Sequence, residues 1–174
     1  VIKPAEATTL STLEFMKVFS ALPDGLIACL PGGADVGKAL VASAKTHAVA
    51  FTGSVAAGQA VAAAAAARLK PAVIEAGGSD PMIITAHAPI DVAAAGAVTG
   101  AFHMTGQVCT STERLYVVDE VHDEFVTAFK AETLRLRIGN GLDKSEIGPL
   151  VSKAARDKVE GLIADAVAKG ATIV

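Results

Sequence analysis

Residues 49–78 read VAFTGSVAAGQAVAAAAAARLKPAVIEAGG, and this stretch decides the fold class. It opens with a β-branched and aromatic run at 49–52, passes through an alanine-rich segment at 54–69, and returns to a β-rich run at 72–75 before the pair Gly77-Gly78. Alanine has the highest helix propensity of any residue, and a helix of this length between two short strands is a crossover that makes the strands parallel. The low complexity of residues 62–67 fits a closely packed helix.

The alternation extends in both directions. Upstream, strands at 1–2 and 26–30 alternate with helices at 9–21 and 35–44; downstream, strands at 82–85 and 114–118 alternate with helices at 91–102 and 121–134. An irregular stretch runs through Cys109, a Gly-Pro-bearing loop reaches Pro149, a helix covers 153–168, and residues 172–174 read as a last strand. The expected class is α/β, with a parallel sheet covered by helices on both faces. Gly77-Gly78, which permits turns that other residues resist, marks an expected domain boundary between residues 1–76 and 77–174. Strands at both termini would leave backbone groups unpaired, so partner segments are expected outside these residues.

Composition narrows the function classes. At 174 residues and 52% hydrophobic content the chain can bury a sizeable core. Its 15 basic and 18 acidic residues, in mixed order, sum to −3 and offer no extended basic face for nucleic acid. The longest apolar run of the first half, residues 60–67, is far short of the ~20 residues needed to cross a bilayer, so no membrane association is expected. No secretory pattern opens the sequence, and a cytoplasmic setting is the expectation. Neither Cys29 nor Cys109 belongs to a Cys-x-x-Cys pair and no two histidines have metal-pair spacing. Neither a disulfide framework nor a metal site is expected, and any cysteine chemistry would use one free thiol.

Several turns could carry chemistry. Gly32-Gly33-Ala34-Asp35-Val36-Gly37-Lys38 has the spacing of a phosphate-binding loop, but Ala39 stands where a hydroxyl should bind magnesium, which disfavours nucleotide hydrolysis. Gly53-Ser54 joins a strand to a helix; Ser54 can be an ordinary N-cap or part of an anion site at the positive helix end. Lys3 and Glu6 add a cation and a carboxylate at the carboxyl edge of the same sheet, where nucleotides bind in open α/β folds. Glu75 ends a strand before the glycine pair, either as a surface glutamate or as a carboxylate beside a ligand.

Cys109 lies among small and polar residues, Thr105-Gly106-Gln107-Val108-Cys109-Thr110-Ser111, a setting suited to an exposed nucleophilic thiol, although no adjacent base is visible. Cys29, within Leu26-Ile27-Ala28-Cys29-Leu30, has the setting of a buried filler. His103, six residues before Cys109, suggests a cysteine hydrolase, but closeness in sequence is not the geometry such a pair requires.

Read together, Val1-Ile2-Lys3-Pro4-Ala5-Glu6, Ala50-Phe51-Thr52-Gly53-Ser54, Glu75-Ala76-Gly77-Gly78, Gly106-Gln107-Val108-Cys109 and Ile147-Gly148-Pro149-Leu150 resemble the aldehyde dehydrogenase superfamily in motif and order. The resemblance covers essentially the whole chain. It implies a Rossmann-like, parallel-sheet nucleotide-binding part in residues 1–76 and part of an α/β catalytic domain in residues 77–174.

It further implies that Cys109 attacks an aldehyde, that Glu75 activates water against the resulting thioester, and that a carboxylic acid is released. Lys3 and Glu6 would contact the adenosine ribose of NAD, and Gly53 with Ser54 would hold the pyrophosphate. A carboxylate at Glu6 accepts from ribose hydroxyls and repels a 2′-phosphate, so NAD is expected over NADP. Family members usually form dimers or tetramers, so a homo-oligomer is expected of the full-length parent. Ala76 departs from the family's usual leucine, and the family's oxyanion asparagine and downstream Glu-x-Phe-Gly-Pro segment are not among these residues. The competing expectation is a non-catalytic packing module with vestigial motifs.

Overall fold

One strand–helix–strand crossover organises each half of the chain. In the computed structural model, which describes residues 1–174, the halves are separate units, Val1–Ala76 and Gly77–Val174.

The first unit runs through α1 (Thr9–Met16), α2 (Ala34–Ala42), β1 (Val49–Gly53), α3 (Val55–Ala66) and β2 (Ala72–Ala76). β1 and β2 pair in parallel, Phe51 opposite Ile74 and Thr52 opposite Glu75. Gly58 lets α3 rest on this pair, because a Cβ there would lie 2.9 Å from Ile74 Cγ2. α3 stops short of the expected residue 69: Leu69 turns to φ 52° and Pro71 cannot continue a helix. Lys70 then donates from Nζ to the Val41 and Ser43 carbonyls, both at 2.6 Å, placing a cation on the last carbonyls of α2.

Two expectations for this unit need correction. The helix expected over 9–21 is α only to Met16 and continues as a 3-10 turn over Lys17–Phe19. The strands expected at 1–2 and 26–30 reduce to a single parallel bridge, Ile2 with Cys29. Its bonds are Ile2 N–H to Ala28 O (2.7 Å) and Leu30 N–H to Ile2 O (2.8 Å). Pro4 and Pro31 flank the bridge on its two segments, and neither has an N–H with which to extend the ladder.

The second unit contains β3 (Asp80–Ile84), α4 (Ile90–Phe102), β4 (Thr112–Val117), α5 (His122–Leu134) and α6 (Lys153–Ala168). β3 and β4 are again parallel, with the register interrupted where Pro81 lacks a donor. Ile84, Ala94, Ala97 and Phe125 form the core, and Phe102, Phe129 and Phe125 stack in sequence with centroids 6.1 and 5.8 Å apart. α6 starts on a Ser152 cap, its Oγ accepting from Ala155 N–H at 3.1 Å, and none of its residues is buried. Residues 172–174 form no strand, since no segment of the chain offers them a partner.

Helical cover on both sheet faces is not what the units show. α3 and α4 each serve as the single crossover of a two-stranded sheet and cover one face, while Val73 (61% exposed) and Ile83 (69% exposed) are open. No helix is long and apolar enough to cross a membrane.

Candidate active site

In the first unit, Lys3 and Glu6 meet the Gly32-Gly33 turn. Lys3 Nζ donates to the carbonyls of Pro4 (2.6 Å) and Gly32 (2.8 Å), and an ammonium has three donors, so one N–H remains for a ligand. Its stem passes over Gly37, where a Cβ would lie 3.6 Å from Lys3 Cδ. Glu6 leans on Gly33, where a Cβ would fall 2.6 Å from Glu6 Oε1. Within the near phosphate-loop spacing, a Cβ at Gly33 would crowd the flexible end of Glu6, whereas one at Gly37 would be in ordinary contact with the Lys3 stem.

Gly53 ends β1 and Ser54 caps α3, its Oγ accepting from Ala57 N–H at 3.3 Å. The Ser54 hydroxyl proton is still available to an acceptor, and both residues are exposed. A Cβ at Gly53 would lie 2.6 Å from the tip of the Phe51 ring, so a larger residue here would have to displace that ring. Glu75 is exposed near the end of β2, opposite Thr52 and one residue before the Gly53–Ala76 pair. The two strand ends therefore bring Glu75 and the Gly53-Ser54 turn to one edge of the β1–β2 pair.

Cys109 belongs to the second unit, on the connection between α4 and β4. α4 ends at Phe102, and the chain then takes three consecutive left-handed residues, Met104 (φ 53°), Thr105 (φ 62°) and Gly106 (φ 70°). Only the glycine adopts this backbone without penalty, and a β-branched residue there is a marked outlier. A Cβ on Gly106 would also lie 3.2 Å from the Ala101 carbonyl.

Below the turn, Ser111 is 3% exposed and its Oγ lies 3.3 Å from the carbonyls of Gly100 and Ala101, tying the loop to the end of α4. Cys109 itself is exposed, and its backbone N–H donates to no group of the chain. Gly78 approaches it closely, since a Cβ there would lie 3.2 Å from the Cys109 carbonyl. Neither Gly77 nor Gly78 has a positive φ, so Gly78 contributes room and not a left-handed turn. Arg114 fixes the neighbouring segment by donating from Nε (2.9 Å) and Nη2 (2.5 Å) to the Ser79 carbonyl.

Two features of this loop were not anticipated from the sequence. Thr105 and Gln107 reach across the unit to the segment around Gly148, Thr105 Oγ1 to Gly148 O at 3.1 Å and Val151 N–H to Gln107 Oε1 at 2.9 Å. That segment follows a clasp between Arg137 and Glu146, with Nη2 to Oε1 at 2.6 Å. Hydrogen bonds from the Arg137 side chain, and then from its backbone, hold the Glu146 carboxyl well below the usual range, at about 2. Gly106 and the loss of helical periodicity were the only linear signals of the turn.

His103 takes no part in the loop's side-chain bonds, which come from Thr105, Gln107 and Ser111. Cys29 is half-buried, not the fully buried filler expected, because its segment forms only the single bridge with Ile2. No group of three or more His, Cys, Asp or Glu side chains is placed to hold a metal ion.

The aldehyde dehydrogenase family model matches residues 1–174. A betaine aldehyde dehydrogenase of Mesorhizobium japonicum is 42% identical over 166 residues, which are 94% of this chain and 34% of that protein. Among solved structures, an NAD-dependent aldehyde dehydrogenase from Sinorhizobium meliloti superposes with a TM-score of 0.96 at 30% identity, covering 99% of this chain and 35% of the other. An NADP-dependent enzyme from E. coli does so with a TM-score of 0.94 at 36% identity, covering 99% and 37%. The chain thus spans about a third of the length of the relatives it matches. With the family model matched from end to end and both crossovers superposing on solved members, the chain belongs to the aldehyde dehydrogenase family.

Proposed function

We propose that this chain supplies the nucleophile, the water-activating base and part of the dinucleotide site of an enzyme that oxidises an aldehyde to a carboxylic acid. The observation that carries the reading is Cys109: an exposed thiol after a left-handed turn, with its own N–H unpaired.

Cys109, as thiolate, forms a sulfur–carbon bond to the aldehyde carbon, and the Cys109 N–H donates to the oxygen that becomes negative. NAD, if held by Lys3, Glu6, Gly53 and Ser54, would supply the hydride acceptor for oxidation of this adduct to a thioester. Glu75 takes a proton from water as the water oxygen attacks the thioester carbon; the acid leaves and the thiolate returns. The reaction consumes one aldehyde, one water and one NAD, and it yields one acid, one NADH and one proton.

The cofactor reading rests on Lys3, with one donor free, and on Glu6, whose carboxylate lies against Gly33 and faces solvent. Such a carboxylate accepts from two ribose hydroxyls and repels a phosphate in their place, which favours NAD over NADP. Ser54 and Gly53 would hold the pyrophosphate at the start of α3. The reading extends to a cytoplasmic, homo-oligomeric complete protein.

The test uses the complete gene product with Glu75→Gln. A burst of NADH with accumulation of an acyl adduct on Cys109 is expected, followed by turnover lowered roughly 10²–10⁴-fold, the usual contribution of a positioned base. Turnover at the parental rate would remove the base role from Glu75. In the parental protein kcat/KM should favour NAD, and equal use of NADP would take Glu6 away from the ribose.

A further inference from the structure

The turn before Cys109 is strained, and something must keep it so. Backbone conformations of this kind persist only where surrounding contacts over-determine them. Two side chains supply those contacts. Thr105, itself at φ 62°, donates from Oγ1 to the Gly148 carbonyl at 3.1 Å. The Gln107 amide makes two bonds at once: Nε2 donates to the Met104 carbonyl at 3.1 Å, inside the turn, and Oε1 accepts from Val151 N–H at 2.9 Å, outside it. An N–H on one side and a carbonyl on the other fix which end of the amide faces which way.

These bonds join segments more than 40 residues apart in the chain. The receiving segment is itself anchored. Gly139 N–H donates to Ile147 O at 2.9 Å, Ile147 N–H to Arg137 O at 3.1 Å, and Glu146 clasps the Arg137 guanidinium. The strained turn is therefore pinned to a strap that has its own ion pair and bridge.

The geometry points to Thr105 and Gln107 as positioning residues for Cys109: they hold the left-handed turn against the Gly148–Val151 strap, so that the thiol and its backbone N–H are presented in one geometry. This inference rests on the nucleophilic reading of Cys109. Neither side chain touches the reacting atoms; both act through the backbone two to four residues before the thiol. A small displacement of a nucleophile is enough to slow chemistry about 10²-fold.

Near-isosteric variants of the complete gene product test it: Thr105→Val deletes the hydroxyl, Gln107→Met deletes both amide bonds at similar volume, and Thr105→Ser keeps the hydroxyl as the rescue. Each is read by amide hydrogen exchange over residues 103–110 and, in the Glu75→Gln background where deacylation is slow, by the rate constant of the NADH burst. Thr105→Val and Gln107→Met should speed exchange in that segment and slow the burst about 10- to 100-fold with aldehyde KM within about twofold, while Thr105→Ser stays near the parent. A merely structural role would lower the melting temperature and leave the burst rate per folded molecule unchanged. A parental burst rate in both deletions, or unchanged exchange over residues 103–110, overturns the assignment. If Glu75→Gln accumulates no acyl adduct on Cys109, the nucleophilic reading itself fails, and the positioning role with it.

Discussion

Two turns in this chain hold candidate functional residues, and they are built in opposite ways. The Gly53-Ser54 turn is a relaxed junction: β1 ends, Ser54 caps α3 from extended backbone, and glycine only clears the tip of the Phe51 ring. The Met104–Cys109 turn is strained, with three left-handed residues in succession and side-chain bonds to a strap more than 40 residues away. A site that offers backbone N–H groups to a phosphate can use ordinary secondary structure, because the end of a helix already provides them. A site that must point one thiol and one N–H at the same carbonyl group has no such ready-made geometry, and long-range bonds must hold it.

The largest effect separating the two turns should come from the thiol itself. Cys109→Ala is expected to abolish steady turnover in the complete gene product, and the NADH burst in the Glu75→Gln background, because no covalent intermediate can form. With limiting iodoacetamide, peptide mass mapping should find the label on exposed Cys109 before half-buried Cys29. Labelling of Cys29 first in the folded protein would place the reactive thiol elsewhere and remove the functional contrast.

The same contrast explains what could be read from the residues. β1, α3 and β2 were legible to within about a turn because their signals are local: β-branched runs, an alanine helix, a serine cap and Pro71 as a stop. α6 was legible over its full span for the same reason, with Ser152 at one end and Gly170 at φ 97° beyond the other. Strands expected at 1–2, 26–30 and 172–174 are not formed beyond the Ile2–Cys29 bridge, since a strand exists only where a partner can complete its ladder, and no local signal shows whether one does. Cys109 and Gly53-Ser54 were legible as candidates from their neighbours. Nothing adjacent to Thr105 or Gln107 names Gly148 and Val151 as their partners, so the bonds that hold the Cys109 turn were not.

Replacing the small residue in each turn gives a smaller, structural measure of the difference. Gly106→Ala forces a Cβ into left-handed backbone, 3.2 Å from the Ala101 carbonyl, and should destabilise the folded protein by about 1–2 kcal/mol. Ser54→Ala only removes a cap to Ala57 N–H and should cost about 1 kcal/mol. Urea titration of both variants checks the order, and hydrogen exchange should locate the Gly106→Ala loss in residues 103–110. Equal losses spread over both units would mean that the Cys109 turn is no more constrained than the other.

The smallest effect is the most specific, and it comes from the clasp behind the strap. Glu146 is depressed to about 2 by hydrogen bonds from Arg137, whereas in the unfolded chain it would titrate at about 4.3. A depressed carboxyl contributes stability that is fully present above its unfolded value and is lost as pH falls through the folded one, so the window lies between about 4 and about 2. Both partners are exposed, so the gain is screened and its effect on global stability should be small. Its local effect should still be visible, because the strap beyond Glu146 receives the Thr105 and Gln107 bonds. At neutral pH, Glu146→Gln should speed hydrogen exchange over residues 103–110 and leave residues 53–58 unchanged. As pH falls from about 4 to about 2, parent and variant should converge, with the Glu146 side-chain carboxyl titrating near the lower end by carbon NMR. If the two proteins exchange alike at neutral pH, the clasp does not support the strap, and the Cys109 turn is held by Thr105 and Gln107 without it.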